Sequence, residues 1–411
     1  MRCALRPEAA EESLPSPEEL ALLAAASLKD EANLFPKPGL VDWVSPGSHE
    51  DMTIGMMHAS IDAISPGFRA KADAARSADQ NDPASLAMLR QTIGAIGRAA
   101  EAEMLRATGG VNTHRGAIYA QGLLTTAAGL AGNREALEAD AVALLAGRIA
   151  SLPDPGFRAP GASHGLVVRK RYGLPGAREE AQSGFEHVRL HAIPRLRKSR
   201  RDGCSEAESQ MNALLALMAA LPDTCIAHRG GLAGVLLVQE GAQRVLDLGG
   251  VGVPEGRKAY EAFCRQLENG KLSPGGSADL LAAALFLDRL SAFWIEKRNH
   301  SLGKFMESLE LKVAAGRPIR GAQVQTGVVA SGDLEVLYDG TGAATDLTVR
   351  ITSSVDNSAR RWEALLGRLS AMQGLPAGVM VIHDFGATPG VARIRIEQAV
   401  EAAKDAEVQS C

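Results

Sequence analysis

Cysteine is scarce and scattered in this chain. Its five copies in 411 residues (Cys3, Cys204, Cys225, Cys264 and Cys411) form no CxxC pair and no zinc-ligand spacing. An odd, dispersed set excludes a disulfide scaffold and points to reduced thiols in the cytoplasm. Long apolar runs are also missing. No stretch of eighteen apolar residues occurs, so no segment is expected to span a bilayer. The opening MRCALRPEAAEESLPSPEEL carries five Glu and has no apolar stretch of signal-peptide length. Nor is charge of one sign in large excess: 44 Lys and Arg face 48 Asp and Glu, a net charge of -4 with the nine His neutral. That balance provides no global positive field to recruit nucleic acid or an anionic membrane, so any phosphate-binding site has to be local.

What is there is ordinary globular material, 46% hydrophobic and 22% charged, in a length for which two or three domains are expected. From about 18 to 296 the chain is rich in Ala and Leu, with apolar residues at helical spacing. Helices are expected over 18–27, 85–106, 117–130, 136–151, 205–221, 232–248, 255–268 and 278–297. Gly- and Pro-rich loops lie between them, and loops on a helical scaffold are where chemistry is usually placed. Near residue 300 the period changes. Strands are expected at 310–313, 324–329 and 333–338, and Leu347, Val349 and Ile351 alternate with polar residues as in a half-buried strand. Helical spacing returns over 358–372. A short strand is expected at 379–382, another alternating stretch at 391–396, and then a final helix. The reading is therefore multi-domain: a flexible N-terminus (1–17), an all-α domain (18–300), a linker (301–306) and a small α+β domain (307–411).

The loops of the first domain are dense in cations, carboxylates and glycines. Lys37-Pro38-Gly39 leads to Asp42, then to Ser48-His49 and Asp51. Gly109-Gly110-Val111-Asn112-Thr113-His114-Arg115-Gly116 opens directly into a helix, and backbone N–H groups at such a start suit a phosphate. Ser273-Pro274-Gly275-Gly276-Ser277 does likewise, with Ser277 as the expected N-cap and Asp279 in the first turn. One Gly-rich turn before a helix is usually only a turn; repetition across several loops of one domain marks a site. In the second domain, Ser331 in VASGD reads as a residue of a tight turn between two strands.

These residues carry two resemblances. EANLFPKPGLVD (31–42), SHEDM (48–52), GGVNTHRGAIY (109–119), YGLPGAREEAQSGF (172–185), HRGG (228–231) and SPGGSADLLA (273–282) resemble, in order, the signature blocks of the triphosphoribosyl-dephospho-CoA synthase family. Cys225 departs from the pattern, which more often shows Asn. SGDLEVLYDG, TSSVDNSARRWEALLGRL and LPAGVMVIHDFGATPGVARIRIEQAVEAA resemble the acyl-carrier (delta) subunit of malonate decarboxylase. The first resemblance implies that ATP loses adenine and that its triphosphoribosyl group passes to the 2′-hydroxyl of 3′-dephospho-CoA. Such a reaction builds oxocarbenium character at the ribose carbon, needs a base for the acceptor and a proton for the leaving group, and must hold the triphosphate without cleaving it.

On that reading Lys37, Arg115 and Arg229 are expected to contact phosphate. Gly39, Gly109, Gly110, Asn112, Gly230, Ser273, Gly275, Gly276 and Ser277 would cradle the substrate. Asp42, Asp51 and Asp279 are candidates for Mg2+ or acid–base chemistry, with His49 and His114 as alternatives for proton transfer. Arg178 and Glu180 are equally well explained as a buried ion pair. The second resemblance implies that Ser331 carries a covalent phosphoribosyl-dephospho-CoA arm. Implied partners are a transferase acting in trans and the malonate decarboxylase subunits. Two other readings use the same residues: an ATP-binding N-glycosidic hydrolase, and an inactive helical domain that docks the carrier.

Overall fold

The computed structural model describes every residue except 1–13, 134, 157–163, 302–306, 320–322, 328–333, 342–344, 354–357, 385–386 and 410–411. It divides into two compact units, Met1–Glu296 and Lys297–Cys411. The expected linker therefore falls inside the second unit. The helix expected to stop near 297 runs on to Ser301.

Among the described residues the first unit is helical throughout: α1 (Pro17–Asn33), α2 (Ile54–Arg76), α3 (Pro83–Ala107), α4 (Arg115–Leu130), α5 (Ala139–Ser151), α6 (His164–Tyr172), α7 (Ala177–Gln182), α8 (Ile193–Arg201), α9 (Glu206–Ala220), α10 (Thr224–Asp247), α11 (Pro254–Asn269) and α12 (Gly275–Ser301). Local signals place several starts. Ser16 and Glu19 form a reciprocal capping box at α1, and Ser205 and Glu208 form another at α9. α2 is not among the expected helices, because its Gly55, Pro66 and Gly67 argue against a helix interior. Tertiary burial overrides them. Ile61, Ile64, Phe68, Ala72 and Ala75 lie on one face of α2 and are fully buried, and the helix packs against α1, α3 and α4.

α4 and α12 are buried nearly all round along much of their length. They form the centre on which the loops are mounted. α10 begins eight residues earlier than expected and is kinked at Gly231, whose φ of 62° and ψ of -161° only glycine adopts readily. No single helix among the described residues is long and apolar enough to cross a membrane. α9 and α10 pass that test only jointly and are bent by 59°.

The second unit is a five-stranded sheet in the order β1 (Glu307–Val313), β4 (Leu347–Ser353), β5 (Gly378–Asp384), β3 (Leu334–Asp339), β2 (Gln323–Gly327). β4 and β5 pair in parallel across the crossover helix α13 (Ala359–Gln373), and the other pairs are antiparallel. Alternate residues of β3, β4 and β5 are buried. They share a core with Trp362 of α13 and with Ile396, Ala399 and Ala403 of the last helix, α14 (Pro389–Gln409). The strand expected at 391–396 is thus the opening of α14. Val391-Ala392-Arg393-Ile394-Arg395-Ile396 fits a period of two, but Ala392, Ile396, Ala399 and Ala403 are buried at a helical period.

Candidate active site

The six motif blocks of the first unit meet. Gly39 takes a positive φ of 67°, and a Cβ there would strike the carbonyl of Leu272. Ser48 Oγ donates to that same carbonyl at 2.8 Å. His49 Nε2 lies 2.8 Å from Ser273 Oγ, and Arg229 Nη1 donates to the Ser48 carbonyl at 3.0 Å. The blocks at 31–52, 228–231 and 273–282 are therefore in contact. A Cβ on Gly116 would collide with the Asp279 carboxylate, which also accepts from the Ala117 amide. That joins the start of α4 to α12. Tyr172 reaches within 3.3 Å of where a Gly231 side chain would begin, and this brings in the remaining block.

The chemistry of the gathering point is set by three helix N-termini, those of α4, α10 and α12, each presenting positive partial charge. Side chains already satisfy them. Asn112 Oδ1 accepts from the Arg115 amide at 3.2 Å. Asp223, only 3% exposed, accepts from the amides of Cys225 and Ser277, both at 2.8 Å, and from Ser277 Oγ at 3.1 Å. Asp223 is not among the site residues expected from the sequence. Ser277, expected as the N-cap of α12, is instead its third residue, and the capping oxygen comes from Asp223 on another element. Asp279 correspondingly sits one turn in. Burial, with the charges of Glu31 and Asp223, holds the Asp279 carboxyl well above the usual carboxylate range.

The histidines are both neutral, for different reasons. Burial and then Arg229 lower the pKa of His49. Its Nδ1 faces Arg229 Nη2 at 3.3 Å and accepts from it, so its Nε2–H is the group that meets Ser273. His114, 2% exposed, is pushed down to about 3 by burial, with the Lys37 ammonium adding to the effect. Ser60 Oγ, which accepts from Thr113 Oγ1 at 2.7 Å, lies 2.7 Å from His114 Nδ1.

The other expected residues are distributed unevenly. Lys37 is buried, and its ammonium donates to the carboxylate of Glu31 at 2.8 Å and to its carbonyl at 2.9 Å. It is an internal ion pair, and a phosphate would have to displace Glu31 to reach it. Asp42 accepts from the amides of Lys37, Val44 and Ser45, which fixes the loop and leaves little capacity for a metal. Asp51 is solvent-exposed, 3.8 Å from His49. Among the described residues no three His, Cys, Asp or Glu side chains gather in a way that could hold a metal ion. Asp42, Asp51 and Asp279 are therefore not gathered at one point.

Arg115 pairs with Glu101 on α3. Gly109 and Gly110, with φ of 64° and 96°, are exposed and face open space. Gly230 packs on Leu272, Gly275 on Cys225, and Gly276 on Asp223. Glu180 pairs with His187 at 2.6 Å rather than with Arg178, which is exposed. Arg229 is exposed, and among the described residues its guanidinium meets two backbone carbonyls and the neutral His49 but no carboxylate.

Residues 17–298 match the ATP:dephospho-CoA triphosphoribosyl transferase family. The chain belongs to that family. A probable 2-(5''-triphosphoribosyl)-3'-dephosphocoenzyme-A synthase from Azotobacter vinelandii is 50% identical over 285 residues, 68% of this chain and 94% of that protein. One from Stutzerimonas stutzeri is 49% identical over 274 residues, 67% and 92% of the two chains. Residues 321–403 match the malonate decarboxylase delta subunit, so the synthase unit is followed by a carrier unit in the same chain. A chain of a Pseudomonas malonate decarboxylase hetero-tetramer, solved with malonate, is 47% identical over 24% of this chain and 99% of its own length, with a TM-score of 0.23. Ser331 lies outside the described residues, between β2 and β3, which pair antiparallel.

Proposed function

We propose that the synthase unit moves the triphosphoribosyl group of ATP onto the 2′-hydroxyl of 3′-dephospho-CoA with release of adenine, and that the carrier unit bears the finished arm on Ser331. The observation that carries the first half is Arg229: an exposed guanidinium without a carboxylate partner among the described residues, framed by His49 and Ser273. A charge left uncompensated at the mouth of a motif-lined site suits a triphosphate that must be gripped and kept whole. Magnesium enters with the nucleotide as MgATP, since the triphosphate supplies oxygen ligands that the protein need not duplicate.

Deeper in, Asp279 is the best-suited proton source for the departing adenine, because burial and two neighbouring carboxylates favour its protonated form. The His49 Nε2–H, donated to the Ser273 oxygen, leaves the Ser273 hydroxyl hydrogen to meet an oxygen of the same nucleotide. The carrier half rests on the family match around Ser331. Loading the arm removes diphosphate and forms a phosphodiester, and this falls to a separate transferase in trans. Malonate decarboxylase subunits then exchange acyl groups with the arm. The dispersed thiols, three of them free in the structure, suit a reducing cytoplasm.

Incubation of the full chain with MgATP and dephospho-CoA, with adenine followed by chromatography, tests the first half. Adenine should appear only when the acceptor is present; release without it would make the protein a hydrolase. Intact-mass measurement on protein made alongside the transferase tests the second half. The added mass should vanish in Ser331→Ala, and persistence elsewhere would overturn that assignment.

A further inference from the structure

We infer that Asp223 is a positioning residue of the synthase unit: its one carboxylate clamps the first turn of α12 to the first turn of α10 and thereby fixes Ser273 and Asp279 relative to Arg229. This rests on the proposed reaction for its consequence but not for its geometry. Two helices that start side by side bring their positive ends close together, an unfavourable arrangement unless negative charge lies between them. Asp223 supplies that charge. One oxygen takes the Cys225 amide of its own helix, and the other takes the amide and the hydroxyl of Ser277, 54 residues away.

Gly276 is part of the device. A Cβ there would come within 3.0–3.1 Å of all three carboxyl atoms of Asp223, so a larger residue would press the helices apart. From the clamp the functional groups are short, stiff distances away: Ser273 and Asp279 flank Ser277 on one side, and Arg229 lies one and a half turns along α10 on the other. Asp279 makes a similar link one helix further on, its carboxyl group set against Gly116 and the Ala117 amide of α4. Two carboxyl groups, one buried (Asp223) and one half-buried (Asp279), thus link three helix starts in series.

Cys225 reports on the clamp. Its amide is held by Asp223, its Sγ lies 3.3 Å from where a Gly275 side chain would begin, and burial with the Asp223 charge keeps the thiol protonated and unreactive. Cys264, on α11, is buried away from Asp223 and has its pKa pushed up to about 12, chiefly by burial. The full chain is prepared as Asp223→Asn and Ser277→Ala, and two quantities are read. Asparagine turns one acceptor into a donor facing an amide, so the clamp opens on one side.

In Asp223→Asn, kcat for adenine release should fall about 100-fold with KM for ATP within about threefold, the signature of misplaced rather than lost contacts; Ser277→Ala, which removes one bond, should fall about tenfold. Labelling of thiols with a disulfide reagent, resolved by peptide mapping, should speed up at Cys225 by about tenfold or more in Asp223→Asn while Cys264 stays at its wild-type rate. A kcat within threefold of wild type, no change at Cys225, or equal acceleration at both cysteines (general loosening) would each overturn the inference. Should the wild type release no adenine at all, the reaction assignment falls, and the thiol measurement alone decides the clamp.

Discussion

The two units solve opposite problems with charge. In the synthase unit Glu31, Lys37, Asp42 and Asp223 are all buried, and each is held by a partner: an ion pair for the first two, backbone amides for the others. In the carrier unit Asp384 is fully buried at the end of β5, held by Ser353 at 2.8 Å, by the Ala387 amide at 2.9 Å and by the Arg361 guanidinium. It braces the junction between sheet and helices, while the residue proposed to carry the arm, Ser331, lies in the sequence between two strands. An enzyme that develops charge on its substrate needs preorganised dipoles in a water-poor site. A carrier needs only a rigid base and an accessible attachment point.

Three substitutions sharpen or break that contrast. The largest effect is expected at the mouth of the synthase site. Arg229→Ala should raise KM for ATP by about 10–100-fold, the range of a charge-assisted contact of about 1.5–3 kcal/mol, without changing the thermal unfolding of the carrier unit. An unchanged KM would move the triphosphate elsewhere, with Arg115 the next choice.

A smaller, purely structural effect belongs to the carrier. Asp384→Asn should cost the second unit about 2–3 kcal/mol by leaving Arg361 without its countercharge, read as a lower melting transition for that unit with adenine release intact. A parallel loss of synthase turnover would mean that the two units do not act separately.

The smallest effect is a stabilisation. Lys71, 4% exposed, donates to the Ile118 carbonyl at 2.9 Å and to no carboxylate among the described residues; burial, helped by Arg90, lowers its pKa to about 7. Because the folded state holds this proton less tightly than the unfolded chain does, stability should rise with pH between about 7 and about 10.4. Lys71→Met should therefore raise the melting temperature by several degrees at pH 7 and by progressively less towards pH 10. A gain independent of pH would show that packing, not protonation, is responsible.

Much of this was legible from the residues, and the gaps have identifiable causes. The alternation in β3 and β4 and the Ala- and Leu-rich helices came through because burial on one face leaves a period in the sequence. α2 did not, since Pro66 and Gly67 mask a helix that only its neighbours stabilise. The opening of α14 read as a strand because six residues can satisfy two periods at once. In the site, the motif blocks were recognisable, but the partner of each charge was not. Nothing in KPGLVD says that Lys37 turns back to Glu31, or that Asp42 spends its oxygens on its own loop.

Residue type and spacing were enough to separate two units, to nominate candidates for phosphate binding and proton transfer, and to mark which families the chain resembles, because that information is local. Which of those charges, among the described residues, are left open and which are spent follows only from the packing. That depends on long-range packing: whether Arg229 is left without a carboxylate, whether Lys37 is neutralised, and whether Asp223 reaches an amide 54 residues away are all settled by how the helix ends converge.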